Sequence, residues 1–477
     1  MIRRARLAAA AAALAGAAVA ALPDAALAHG LVGRQDLPIP RWLFAWGAAV
    51  VLVVSFVALA VLWPRPRLEE AREKRVLGVP AALEALAGVV GILAFAAVVY
   101  AGLAGTQTAT ANLAPTVIYV IFWVGIPFAS PLLGDVFAAF NPWRAIARGV
   151  AWIAGRVAPG KLPAPMAYPV WLGRWPAAVG IFGFAWVELV FVDRDDPTTL
   201  AILALLYAAV QLVGMSLYGI DTWTRRADAF AVYFKLFSKL APLHWRDRAL
   251  YRRPPLSGAP RLDAVPGTVA LLSVMIGTTS FDGLSQGDLW TGTNGIAPTL
   301  QQRFLNLGFS QETALQITFT IGLLLMVCFV GALYRLGVAG MGSIGGRHRP
   351  GELAQRFAHS LIPIALAYVV AHYVSLLAYQ GQAMASLASD PLGDGSNLLG
   401  TASATIDYNV ISATGIWYVQ VAALVLGHVA GLTLAHDRAL TVYRRVRDAT
   451  RSQYWMLAVM VGFTSLGLWL LSASAQS

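Results

Sequence analysis

IPIALAYVVAHYVSLLAYQGQ, residues 362–382, is the stretch on which the reading of this chain turns. It holds no Asp, Glu, Lys or Arg, and its length is that of a helix crossing the ~30 Å apolar layer of a bilayer. A histidine in the middle of such a run is costly, so it marks either function or a polar contact between helices. Runs of the same kind recur along the chain, near 42–63, 83–104, 116–138, 175–192, 199–219, 266–282, 313–334, 358–379, 413–435 and 453–473. The pattern predicts an all-α fold, a polytopic membrane helix bundle of about ten transmembrane helices.

Composition agrees. Of 477 residues, 58% are hydrophobic and 12% charged, against about 25% charged in soluble proteins, and mean hydropathy is +0.64. An ordinary soluble enzyme is excluded. The net charge of +11 is not a nucleic-acid footprint. If cleavage leaves His29 outside, the odd-numbered gaps between spans become cytoplasmic, and they hold every Lys and Arg after residue 28 except Arg34, Arg41, Arg194 and Arg303, as the positive-inside rule predicts. The single cysteine, Cys328, lies in an apolar run and allows no intrachain disulfide and no CxxC motif. The segments show no inverted repeat of the sort many transporters carry.

Residues 1–28 have the order of a secretory signal peptide: Arg3, Arg4 and Arg6, an Ala/Leu-rich run to Leu22, then small residues at Ala26 and Ala28. The alternative is an uncleaved first helix. Cleavage would leave residues 29–477 as one ten-helix transmembrane domain in the plasma (inner) membrane, with both termini extracytoplasmic. Its longest loop, about 220–264, carries FAVYFKLFSKLAPLHW, whose Phe230, Tyr233, Phe234 and Phe237 share a helical face. That spacing predicts an amphipathic helix, either lying on the inner leaflet with Lys235 and Lys239 toward head groups or buried against the bundle.

Few polar groups enter the spans. His372 has Tyr368, Ser375 and Tyr379 at helical spacing, a polar ladder on one face. His428 sits between Gly427 and Gly431, a GxxxG spacing that admits a close neighbouring helix; it reads as a buried ligand or as a packing histidine. Glu188 and Asp282 fall at the outer ends of the fourth and sixth spans, at the depth of His372 or just above it. Each has a plain alternative, Glu188 as an interface carboxylate paired to Arg194 and Asp282 as a turn residue before Gly283. His359 and His436 fit head-group or capping roles. Stacked haem ligation by His359/His372 and His428/His436 is disfavoured, because 13 residues at about 100° each turn the second ring some 140° away. Asp135, Asn141 and Trp143, below Pro127 and Pro131, suggest a kinked or re-entrant structural corner.

If cleavage falls after Ala28, the mature chain begins with His29. An N-terminal histidine offers its α-amine and ring Nδ1 together, and with reference pKa values near 7.7 and 6.5 both can be unprotonated at neutral pH. Two nitrogens plus a second imidazole suit copper, though another divalent metal is open. The arrangement resembles the histidine brace of secreted copper proteins such as lytic polysaccharide monooxygenases. It predicts a metal site of His29 with His372 and His428 deeper in the bundle, and with Glu188 or Asp282 as an oxygen ligand or base.

A broader resemblance rests on HGLVGRQDLPIPRWLFAWGAAVVLVVSFVALAVLW, LLGDVFAAFNPWRAIAR, TTSFDG and GHVAGLTLAHDRAL. These stretches are similar to bacterial, largely actinobacterial, multi-pass membrane proteins labelled fenitrothion hydrolase. The resemblance implies cleavage of an organophosphorothioate triester with release of a nitrophenol, and it brings no catalytic motif to transfer. The expectation is an extracytoplasmic-facing metal site with catalytic Glu188 and Asp282, acting on a small-molecule substrate. The alternatives are a copper-import or delivery protein serving a secreted or membrane metalloprotein, and a haem- or quinone-linked redox component.

Overall fold

The computed structural model describes residues 41–157, 163–344 and 348–473. The signal segment and His29 lie outside them. The described residues are 72% helical and 3% strand, an all-α bundle as the apolar runs predict. Each of the ten expected runs is helical. Among the described residues, seven helices are long and apolar enough to cross a membrane: Ala81–Ala104, Leu113–Leu133, Pro197–Tyr218, Thr268–Ser285, Gln311–Gly342, Pro350–Leu387 and Ala413–Val442. The other three are Arg41–Leu62, Trp175–Leu189 and Val446–Ala473. Trp175–Leu189 is the shortest, 15 residues, or roughly 22 Å of helix.

Helix starts follow from local chemistry. Asp196, Ser310 and Ser412 each accept the backbone N–H three residues on, capping the helices they precede. Thr268–Ser285 is the most enclosed of the seven, with 78% of its apolar window buried. Enclosure explains what its hydroxyls do: Ser273, Thr278, Thr279 and Ser280 are buried and donate to the carbonyls four residues back. The GxxxG expectation is met by packing. A Cβ at Gly427 would lie 2.7 Å from the Pro363 carbonyl, and one at Gly431 would lie 2.8 Å from that of Ser360, so these glycines let Ala413–Val442 and Ile362–Gln380 touch closely.

A small antiparallel sheet closes one end. Its strands are β1 (Lys74–Gly78), β2 (Leu243–Arg246) and β3 (Ala249–Arg252), in the order β1-β3-β2. Arginines collect there around few carboxylates. Glu73 pairs with Arg246, Arg253 and Arg261, and Glu69 pairs with Arg438 at 2.6 Å. Asp437 accepts four N–H groups, from the Trp63 indole and from the backbone of Arg67, Leu68 and Glu69. His359 and His436 act as capping residues: each is buried and bonds a carbonyl, of Arg356 and Trp63 respectively.

Two short hairpins enter the bundle from this end and turn back inside it. The first rises through Val136–Phe140, turns at Asn141 and returns as Pro142–Val157. Its depth is fixed by helix Ala81–Ala104: the Phe140 carbonyl abuts Gly91, Ala145 abuts Gly88, and Arg148 pairs with Glu84 in the first turn. The second hairpin begins at Gly219, whose φ of +83° favours glycine at the reversal. Ile220–Arg226 climbs beside Pro197–Tyr218, with Trp223 donating to Gln211 at 2.8 Å, and Ala229–Ser238 descends again toward β2.

The hairpin tips meet at Asp228. Its carboxylate accepts from Asn141 Nδ2 (3.1 Å), Trp143 Nε1 (2.6 Å), Tyr207 Oη (2.9 Å) and the Ala231 N–H (3.0 Å). Breaks in helical backbone at this depth require internal partners, and this node supplies them. The structural corner expected at Asn141 and Trp143 is therefore present, while Asp135 caps Val136–Phe140. The leaflet-lying form of the amphipathic helix is corrected. Phe230, Val232, Tyr233, Phe234, Leu236 and Phe237 are all buried, because the helix descends inside the bundle against Ile126–Leu133 and Trp175–Leu189.

Candidate functional site

Three helix segments at the end opposite the sheet bring ionisable groups together. Asp282 lies in the last turn of Thr268–Ser285, Glu188 at the end of Trp175–Leu189, and His372 and Tyr373 on Ile362–Gln380. Neighbouring residues on a helix diverge by about 100°, which lets His372 and Tyr373 approach one carboxylate from two sides. His372 Nε2 stands 2.7 Å from Asp282 Oδ2, and the Tyr373 hydroxyl donates to the same oxygen at 3.1 Å. The two rings sit edge to face, centroids 4.7 Å apart.

The Tyr373 hydroxyl is also 3.4 Å from Glu188 Oε1, so one phenol links both carboxylates. Between Thr116 and Gly125 the adjoining helix Leu113–Leu133 widens to π-helical hydrogen bonding, a local distortion frequent at functional sites. Its Trp123 borders Glu188 and Tyr373 and stacks on Tyr233 of the second hairpin, 4.8 Å between centroids. Trp123 Nε1 and Glu188 Oε2 are buried without a hydrogen-bond partner of acceptable geometry. Tyr119, on the same π-helical stretch, donates to the Arg194 carbonyl at 2.8 Å.

With Nε2 held by Asp282, the nitrogen left open on His372 is Nδ1, which has no hydrogen-bond partner among the described residues. It faces Gly283, where a Cβ would come no closer than 3.8 Å. The His372 side chain keeps 24% of its surface exposed and that of Asp282 keeps 11%, so the imidazole is reachable while its carboxylate is enclosed. A carboxylate on one imidazole nitrogen fixes the tautomer and leaves the other as a base or a ligand.

Of the residues singled out in the sequence, His372, Asp282 and Glu188 come together. Asp282 is a helical residue bonded to His372, not a free turn aspartate. Glu188 bonds Tyr373, while the ion pair of Arg194 is with its neighbour Asp195 at 3.7 Å. The polar ladder is dispersed: Tyr368 donates to the Phe463 carbonyl and Tyr379 to that of Ile411. His428 is fully buried, donates from Nδ1 to the Leu424 carbonyl at 2.7 Å and lies beside Tyr368, without a bond to the His372 cluster. Tyr373, Trp123 and Asp228 were not singled out. Tyr373 had a readable signal, a phenol beside the span's histidine; an aspartate in RADAFAVYF offered none that distinguishes a buried group from a loop residue.

Among the described residues no three His, Cys, Asp or Glu side chains form a group able to hold a metal ion. In the cluster with Asp282 and Glu188, His372 Nδ1 is the imidazole nitrogen open to a metal, and His29, the other nitrogen donor expected of a copper brace, lies outside the described residues. Comparison of the chain with models of protein families, with characterised proteins and with solved structures finds no match.

Proposed function

We propose that this chain is an integral membrane protein that hydrolyses a small apolar ester of the organophosphorus triester type, with His372 as general base and Asp282 as the carboxylate that orients it. One observation carries the reading: the 2.7 Å contact of Asp282 with His372 Nε2 leaves Nδ1 open on a partly exposed ring. In the step, Nδ1 takes a proton from water as the water oxygen bonds to phosphorus. The phosphorus–aryloxy bond breaks, the phenolate leaves, and the imidazolium returns its proton to solvent. An apolar triester suits a site enclosed by Trp123, Tyr233 and Tyr373. The bias of basic residues toward the sheet end supports an extracytoplasmic position for the site.

The test is nitrophenol release by purified protein in lipid nanodiscs. Removing a general base costs about a hundredfold or more, so His372→Ala should abolish most of the rate and Asp282→Asn should lower it at unchanged KM. Equal rates in wild type and His372→Ala overturn the reading.

The same geometry favours a second reading, because metal-bound imidazoles commonly give their other nitrogen to a carboxylate. Here His372 Nδ1 would complete a copper site with the His29 amine and ring, serving metal uptake or delivery. Copper bound near one per chain, and lost in both His29→Ala and His372→Ala, supports it; copper content unchanged by either substitution removes it.

A further inference from the structure

The sheet at the basic end of the bundle has two unlike faces. In an antiparallel sheet, residues paired across strands share a face and successive residues alternate between faces. The register therefore sorts the side chains. Arg75, Tyr251 and His244 lie on one face with Gly78, Ala249 and Arg246, while Lys74, Arg252 and Leu243 lie on the other with Leu77, Leu250 and Trp245. The first face is engaged by the protein itself: Ala249 is buried, and Arg246 lies over the Tyr251 ring at 4.9 Å and pairs with Glu73 at 3.7 Å.

The second face is not engaged in this way. Lys74, Leu77, Trp245 and Arg252 are all exposed. Glu73 is taken by Arg246, Arg253 and Arg261, and Asp247 by Arg246, so Lys74 and Arg252 form no ion pair among the described residues. They stand directly opposite each other in the register. Like charges so placed destabilise a sheet, and an anion between them offsets that repulsion. Next to this pair, Leu77, Leu250 and Trp245 form an apolar row across all three strands.

The ends of two spans fix the level of this face. The Trp245 indole N–H donates to the Leu133 carbonyl at 2.9 Å, and Leu133 is the last residue of the span Leu113–Leu133. Leu132 and Leu133 are exposed, as lipid-facing residues of a span are. At the other edge of the sheet, β1 ends at Gly78 and the span Ala81–Ala104 begins just beyond it. Both edges are thus tied to points where the chain leaves hydrocarbon, the head-group level at which tryptophan is favoured.

We infer that this sheet face binds an anionic phospholipid of the adjoining leaflet, with the phosphate between Lys74 and Arg252 and the acyl chains along Leu77, Leu250 and Trp245. Two unpaired cations suit a net-negative head group better than a zwitterionic one, whose ammonium they repel. The apolar row distinguishes a lipid from free phosphate. The inference rests on the helices spanning a bilayer and is independent of the hydrolytic reading.

Native mass spectrometry of the full chain in detergent, titrated with phosphatidylglycerol or phosphatidylcholine, tests it. Wild type should bind phosphatidylglycerol more tightly. Each cation at an anionic lipid surface contributes about fivefold, so Lys74→Gln/Arg252→Gln should weaken phosphatidylglycerol roughly thirtyfold. Arg444→Gln/Arg445→Gln removes the same charge from exposed residues between the last two helices and should leave the affinity near the wild-type value. Leu77→Asn should weaken binding, and excess inorganic phosphate should not displace the lipid. Equal affinity in wild type and Lys74→Gln/Arg252→Gln overturns the inference, as does an equal loss in both double variants or displacement by inorganic phosphate. Because Lys74→Gln/Arg252→Gln relieves a like-charge pair, it should melt no lower than wild type in phosphatidylcholine nanodiscs; a lower melting temperature contradicts the unpaired charges on which the site depends. None of these readouts needs turnover, so a failure of nitrophenol release leaves them standing.

Discussion

Replacing Asp228 should cost far more than the loss of ordinary polar contacts between helices. Asp228→Ala strands four donors, the buried Asn141 Nδ2 and Trp143 Nε1 and the partly buried Tyr207 Oη and Ala231 N–H. An unsatisfied buried donor costs about 1–3 kcal/mol, so four set a range of roughly 4–12 kcal/mol, and relaxation of the tyrosine brings the expected value to about 4. Polar bonds between membrane helices average about 0.6 kcal/mol when cut singly, because the released groups find other partners. Four such independent losses would come to only about 2.4 kcal/mol. The two accounts therefore predict different numbers. Asp228→Asn keeps one carbonyl oxygen for two of the donors and should fall near half the alanine value. The assay is reversible denaturant unfolding in mixed micelles followed by tryptophan fluorescence, with Trp143 as a local reporter. A loss of about 2.4 kcal/mol or less in Asp228→Ala, the sum of four independent contacts, refutes the idea that this carboxylate holds the two hairpin tips together.

Two further outcomes follow from close packing and from titration. Gly427→Ala places a Cβ 2.7 Å from the Pro363 carbonyl and should destabilise by about 1–3 kcal/mol through overpacking, whereas Gly462→Ala, which meets nothing within 4 Å, should be neutral; equal melting temperatures for the two variants would contradict the close helix contact. At the sheet end, burial first and the Arg253 charge second pull His244 from its ordinary 6.5 to about 4. The folded protein thus binds this proton less readily than the unfolded chain. The stabilising contribution is complete above pH 6.5 and is lost as pH falls from 6.5 toward 4. The melting temperature should drop across that window, and the drop should shrink in His244→Gln; an unchanged pH profile in the variant counts against it.

What the sequence made legible was the part governed by solvent. Apolar runs long enough for a bilayer located the helices, because each run answers to hydrocarbon without reference to its neighbours. The same logic placed His372, Asp282 and Glu188 at one depth, since depth follows from position along a span. Their partners did not follow, because azimuth around a helix is set by which neighbour packs where. His372 meets Asp282 while Tyr368, one turn earlier, bonds the Phe463 carbonyl. The hairpins escaped for a related reason. FAVYFKLFSKL is as compatible with a leaflet surface as with a protein interior, and only Tyr207 and the Asn141/Trp143 corner, both distant in sequence, decide for the interior.

Asp228, Asp437, Asp282 and Glu188 differ in how completely they are satisfied, and that difference supports the site proposed above. Asp228 and Asp437 each accept four hydrogen bonds, the first at the hairpin tips and the second where residues 63–69 dock on helix Ala413–Val442. A carboxylate so saturated has no capacity left for a ligand, and its interactions fix backbone in place. The cluster at the opposite end is less saturated: His372 Nδ1 is open, and the Tyr373 hydroxyl is the one group that reaches both Asp282 and Glu188, at 3.1 and 3.4 Å. Burial of such groups costs free energy that folding alone gives no reason to retain. An open nitrogen on His372 is what the proposed base requires, which is why the proposed site lies at this cluster rather than at the better-bonded Asp228 node.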